Sequence, residues 1–289
     1  MKVLSHIEKD LKQIANMLLL NGTLTECPGL VIGKMGISIF LFHYAEYTHN
    51  RLFSKYALKV IQEMQHQIHT NSPADYQKGI AGIGVGIDYL IRNELLIAQD
   101  DDICGDLDHR MYRAVMYDPW QDISLYDGLT GYGRYWIMRL RYPRPSVQAR
   151  KCLFRITAQI AENSTEISLE QQVDVYGFLH DLQQIAEFDS CCSSLLEQCR
   201  HRDISSADKS RSFPRLGNCS IGNIARMVQR NRYFNDALQD EIAVALQQIS
   251  DLDMDKAPSG MGLLNGYAGE GMLRLTALNQ TDTSWMLLL

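Results

Sequence analysis

Several signals are missing from this 289-residue sequence, and each absence removes a class of protein. No Cys-x-x-Cys pair occurs among the seven cysteines (27, 104, 152, 191, 192, 199 and 219), which excludes a zinc ribbon and gives no disulfide framework. The scattered thiols predict reduced, mostly buried side chains. Basic residues are not in excess: the net charge of -6 leaves no electrostatic footprint for nucleic acid or an anionic membrane and favours a cationic or neutral partner. Long apolar runs are absent at the start, where Met17-Leu-Leu-Leu20 is far short of the roughly 20 residues that span a bilayer. The opening Met1-Lys-Val-Leu-Ser-His-Ile-Glu-Lys-Asp10 lacks a basic start followed by an apolar core, so no signal peptide is evident and a cytoplasmic location is predicted. No Pro-, Gly- or Ser-rich linker divides the chain, and hardly any segment alternates in the two-residue period of a strand.

What is present is a repeat. Gly79-Ile-Ala-Gly82-Ile-Gly84 recurs as Gly128-Leu-Thr-Gly131-Tyr-Gly133 and as Gly266-Tyr-Ala-Gly269-Glu-Gly271. An upstream echo is Gly33-Lys-Met-Gly36, and a worn copy, Cys219-Ser-Ile-Gly222, keeps only the second glycine. The steps between first positions are 46 (33 to 79), 49 (79 to 128), 91 (128 to 219) and 47 (219 to 266). Gly177-Phe-Leu-His180 falls near the middle of the double step, so six units fill the sequence. A period of this length is that of stacked or circularised supersecondary units.

Each unit reads as two helices. Residues 4–20 carry apolar side chains at 4, 7, 11, 14, 15 and 18, the spacing of a one-faced helix, whereas 37–44 are apolar almost all round. The first kind belongs at a surface and the second in an interior. The order of outer helix, loop, glycine motif and inner helix repeats at 53–69 with 79–90, 102–116 with 128–140, and 147–162 with 173–188. It continues with a short outer helix at 191–201 and ends with 233–249 and 266–278. The prediction is one all-α domain over 1–289, an α/α toroid of about six hairpins.

Glycine within a helix costs roughly 1 kcal/mol against alanine. Its repetition at 33, 36, 79, 82, 128, 131, 222, 266 and 269 therefore implies a gain elsewhere. Glycines three apart share a helix face and let neighbouring backbones approach. They also predict unshielded N–H groups at helix starts, where the macrodipole is positive, so a ligand pocket is expected on that rim. Close packing alone is a compatible reading. No predicted strand precedes any of these motifs, which excludes a dinucleotide fingerprint.

The segments Lys78-Gly79-Ile-Ala-Gly-Ile-Gly84, Ser124-Leu-Tyr-Asp-Gly128-Leu-Thr-Gly-Tyr-Gly133 and Gly262-Leu-Leu-Asn-Gly266-Tyr-Ala-Gly269 resemble the lanthionine synthetase C-like (LanC-like) proteins. The resemblance implies a toroid of paired helices and a role in thioether formation in ribosomal peptides. It also implies a zinc held by two cysteines and a histidine, one cysteine beside a tryptophan and the other in a Cys-His-Gly pattern. This sequence departs from that set. Gly217 and Asn218 stand at the Cys-His positions, Cys219 is one position out of register, and neither Trp120, Trp136 nor Trp285 has a cysteine neighbour. The family's usual seventh unit is also missing. The expectation is a protein without a metal or other cofactor, acting as a peptide-binding or accessory factor. Its partners would be a ribosomal precursor peptide and a modifying enzyme, not nucleic acid or membrane.

The candidate residues follow from these motifs. His180 is the acid/base candidate that the resemblance implies, although Asp181 replaces the expected glycine. A lone helical histidine is also compatible with a structural role. Ser124, Asp127, Asn218, Asn265 and Glu270 lie in or beside glycine motifs and are the expected substrate-binding groups. The run Asp100-Asp-Asp102 with Asp106 and Asp108 could bind calcium or a basic leader peptide, but reads first as a solvated helix start. Cys191, Cys192, Cys199 and His201 could be drawn as a metal cluster, yet adjacent cysteines on a helix diverge by about 100°. The alternative function is an active enzyme. It would be a metal-independent cyclase using His180, or a six-hairpin glycosidase-like hydrolase using Asp127 and Glu270 as carboxylates about 5–9.5 Å apart.

Overall fold

In the computed structural model, described over residues 2–69, 71–97, 104–118, 122–142, 146–163, 169–200, 220–251 and 258–289, the apolar periodicities become α-helices. Outer helices bury a stripe: in α3 (Arg51–Gln67) only Ala57, Val60, Ile61 and Met64 are buried. Inner helices bury most of their girth. In α2 (Lys34–Thr48) every residue from Lys34 to Phe42 is buried, along with Tyr44 and Ala45. A helix without a polar face must be surrounded by other elements, which fixes its place in the interior.

The remaining helices are α1 (Lys2–Asn21), α4 (Ile80–Arg92), α5 (Gly105–Met116), α6 (Leu129–Arg141), α7 (Val147–Asn163), α8 (Leu169–Gln183), α9 (Asp189–Arg200), α10 (Ile221–Phe234), α11 (Gln239–Asp251) and α12 (Tyr267–Ala277). Among the described residues no strand occurs; the one bridge joins Gly260 to Gly266. The protein is all-α, and its twelve described helices alternate between the outer and inner kinds.

The helices group into two compact units. The first holds α1–α4 and α10–α12, together with the 3-10 turn Ser284–Leu288. Here α2 packs on α3, α4 and α12, and α1 packs on α11 and α12, so the two ends of the chain share one core. Trp285 and Met286 are fully buried, and the Trp285 indole donates to Thr276 Oγ1 at 3.0 Å. Arg274 of α12 reaches Asp10 of α1 at 3.3 Å and Glu270 at 2.7 Å.

The second unit holds α5–α9 and residues 74–76. In it α6 packs on α7 and α8, and α5 on α7. Its buried cation is Arg139, whose Nε and Nη2 donate to the two oxygens of Asp108 at 2.8 and 2.9 Å while Tyr135 Oη donates to the same carboxylate at 2.7 Å. The sequence places Asp108 in a solvated acidic run. The structure corrects this: Asp108 faces the inner helix, and a buried carboxylate is tolerated there because a fork of donors satisfies it. Asp100, Asp101 and Asp102 lie outside the described residues.

Candidate functional site

The glycine starts share one backbone arrangement. Gly33, Gly79, Gly128 and Gly266 are the N-caps of α2, α4, α6 and α12, all with extended backbone. In each case the first helical N–H donates to the carbonyl seven residues earlier: Lys34 to Cys27 (2.9 Å), Ile80 to Pro73 (3.0 Å), Leu129 to Asp122 (3.2 Å) and Tyr267 to Gly260 (3.0 Å). At α12 the next two N–H groups continue the series, Ala268 to Met261 and Gly269 to Gly262, both at 3.2 Å. At α2, Met35 N–H follows with Pro28.

The loop before each of these helices therefore folds back across the helix start and caps it with carbonyls. For the first N–H of each of these helices, the second at α2 and all three at α12, this corrects the expectation of unshielded N–H groups. The capped donors are not available to an anion, because each already has a carbonyl acceptor and a buried N–H left unpaired is costly. It also explains the glycines. None of the described glycines has a positive φ, so a left-handed backbone is not the reason for them. A Cβ at Gly131 would overlap the Leu125 carbonyl oxygen, and one at Gly269 would overlap that of Leu263.

The loops also bond to each other. In the first unit Leu264 N–H donates to Val31 O at 2.9 Å, and Val31 N–H to Gln77 O at 3.1 Å. In the second, Tyr76 N–H donates to Tyr126 O at 2.9 Å. Leu125 N–H then donates to a side chain, Asp174 Oδ2 at 3.2 Å. Asp174 belongs to α8, which has no glycine loop of this kind among the described residues, and a buried carboxylate serves there as the acceptor. Gly177 lies in the middle of α8 and is not a helix-opening glycine, which corrects its place in the repeat. At α10 the cap is Ser220, whose side chain accepts from Asn223 N–H.

Beside the start of α4 the first unit opens a cavity of about 630 Å³. Its floor includes Ile80 and Ile83, and Cys27, His66, His69 and Lys78 stand around it. Three segments meet there: the loop before α2, the C-terminal end of α3 and the first turn of α4. The volume falls within the range of small-ligand sites, roughly 300–1,000 Å³. Of the candidate site residues read from the sequence, Gly79 alone lines it.

The other candidates are placed as follows. In the second unit Asp127 is exposed, and Ser124 forms a turn in which its N–H and Oγ donate to Asp122 Oδ1 at 2.8 and 2.6 Å. Burial is the main cause that pushes the Tyr132 phenol up to about 12; the charges of Asp75, Asp118 and Asp127 add to it while Arg110 opposes. His180 is on the last turn of α8, about one-third exposed, with Nδ1 3.8 Å from Asp181 Oδ1. In the first unit Asn265 adopts a left-handed conformation at φ 54°, a turn role that asparagine tolerates. Glu270 is committed to Arg274. Gly222 sits in the first turn of α10, where among the described residues a Cβ would meet only Leu264 Cδ1 at 3.5 Å. Gly36 and Gly82 are buried in α2 and α4. Gly217, Asn218, Cys219, Trp120 and His201 lie outside the described residues.

Compared with models of known protein families and with curated proteins, the chain matches none. Among the described residues no three His, Cys, Asp or Glu side chains are grouped to hold a metal ion, and no helix is long and apolar enough to cross a membrane. Cys104, Cys152 and Cys192 are buried, and burial pushes the Cys152 thiol up to about 12, which keeps it protonated at neutral pH. The cavity residues were missed because they belong to three segments with no common motif. A partial signal was available in Gly29 and Gly262, each four residues before a capping glycine. A Cβ on Gly29 would overlap Lys78 Cα, and one on Gly262 would overlap Ile32 Cα, so these glycines mark where one loop lies on its neighbour.

Proposed function

We propose that this chain is a LanC-like helical-repeat protein that holds a ribosomal precursor peptide while a partner enzyme modifies it, and that it is not itself a zinc-dependent cyclase. The cavity beside α4 carries this reading: it has an apolar floor, ionisable groups around it and the volume of a small-ligand site. An extended peptide can bury one or two side chains in such a cavity while its backbone runs along the loops. The glycine repeats and their outer-inner helix order support the family reading. Gly217 and Asn218, standing where that family carries cysteine and histidine, support the loss of the metal site.

A peptide encoded next to this gene, labelled and titrated with the purified protein, tests the reading by fluorescence anisotropy. Saturable binding that Ile83→Arg weakens is the expected result, because the substitution puts a charge into the apolar floor. Absence of binding by every neighbouring short peptide would overturn it. Metal analysis after purification without chelators is expected to find no zinc; stoichiometric zinc that survives dialysis would restore the cyclase reading.

A further inference from the structure

The chemistry around the cavity is asymmetric. Lys78, His66 and His69 place nitrogen groups around it, against a single carboxylate, Glu26. All four are exposed, whereas Ile80 and Ile83 below them are about 1% exposed. A ligand that fills this site buries an apolar body on the isoleucines and brings an acceptor to the ammonium and the imidazoles. A lysine ammonium is a donor only, and a neutral imidazole keeps one N–H to give. The matching ligand group is a carboxylate attached directly to an apolar residue.

We propose that the cavity binds the free C-terminus of a peptide ending in an apolar residue, with the terminal side chain on Ile80 and Ile83 and the carboxylate beside Lys78. This rests on the peptide-binding reading and specifies which part of the peptide is held. The terminal carboxylate is preferred over an internal aspartate or glutamate because its charge sits one bond from the Cα that carries the apolar side chain. An internal acid would have to send its charge and its neighbour's apolar group along different directions. Glu26 repels the carboxylate and sets a ceiling on affinity. Its removal and the removal of Lys78 therefore act in opposite directions.

The test uses the full-length protein and three probes: acetyl-Ala-Ala-Leu as the free acid, the same peptide as its C-terminal amide, and acetyl-Ala-Asp-Ala amide. Binding is measured by calorimetry, and the location by the rate of Cys27 alkylation, followed by peptide mapping, since Cys27 lines the cavity. The free acid is expected to bind and to slow alkylation of Cys27. The two amides are expected to bind about tenfold more weakly, the loss of one charge-assisted hydrogen bond. Lys78→Met is expected to remove the acid–amide difference and Glu26→Gln to enlarge it, with melting curves of both variants recorded beside the parent to show that they fold. Equal binding of acid and amide would overturn the carboxylate assignment, and binding without protection of Cys27 would overturn the location. If the precursor peptide binds but the acid and amide do not differ, this inference fails and the peptide reading stands. If acetyl-Ala-Ala-Leu binds as expected but no precursor peptide does, the peptide reading fails and the site remains.

Discussion

Helices α2, α4, α6 and α12 start behind a glycine, and α10 starts behind a serine. The two kinds of start solve the same problem by different means. An α-helix leaves its first four N–H groups without partners inside the helix. At α10 a side chain does the capping, Ser220 Oγ accepting from Asn223 N–H, and among the described residues a Cβ on Gly222 would meet only Leu264 Cδ1 at 3.5 Å. At α12 three consecutive loop carbonyls do it, which brings backbone against backbone at distances no Cβ would allow. A serine cap uses the cap residue's own side chain and asks nothing of the chain before it. A carbonyl cap holds it on the helix start, where it can bond to the next loop and form the wall of a cavity.

The largest expected effect breaks the carbonyl cap. Gly269→Ala sets a methyl against the Leu263 carbonyl, a backbone atom that cannot swing aside, and should cost about 3 kcal/mol. Chemical denaturation of the variant beside the parent checks it, and an unchanged midpoint would show that the loop can move away.

The second prediction concerns the other end of the inner helices, where side chains replace backbone. His43 Nε2 lies 2.9 Å from Tyr89 Oη, and burial, opposed by Asp282, lowers the His43 pKa to about 4. The folded state holds this proton less tightly than the unfolded chain. Stability from this site is thus complete above the unfolded value near 6.5 and is lost as pH falls towards 4. By pH 5 the loss should reach about 2 kcal/mol. Melting temperatures from pH 7.5 to 4.5 test this, and His43→Leu should flatten the slope over that window. The backbone caps contain no ionisable group and should contribute none of it.

Asp174→Ala comes next. It leaves Leu125 N–H without its carboxylate acceptor and should cost about 1–2 kcal/mol, while Asp174→Asn, which keeps an oxygen acceptor, should cost less than half of that. Amide exchange at Leu125 reports the same bond directly. Equal losses in the two variants would mean that the negative charge matters and not the acceptor.

The smallest effect has the opposite sign. Gly222→Ala makes only an ordinary van der Waals contact among the described residues and should stabilise the protein by about 0.4–1 kcal/mol. Set beside Gly269→Ala, it separates a glycine required by packing from one that is not, at matched places in the repeat.

Much of the helical plan could be read from residues alone. The stripe 57, 60, 61 and 64 in α3 and the all-round burial of α2 are consequences of apolar spacing, and a helix shows its exposed and buried faces in its own sequence. The capping glycines were legible because each is followed three residues on by a second glycine inside the helix, whose cost is local and whose recurrence signals a requirement. Gly177 shows where that reasoning stops, since spacing alone put it at a helix start and the chain is already two turns into α8 there.

What the glycines are for was decided by tertiary structure. The acceptor for an N–H, the partner of Asp108 and the meeting of His66, Lys78 and Cys27 around one cavity all depend on segments distant in the chain coming within a few ångströms. Composition fixes which groups are available to pair. Three-dimensional packing fixes which pairs form, because hydrogen bonds and excluded volume act only at contact, and contact between distant segments leaves no period in the sequence.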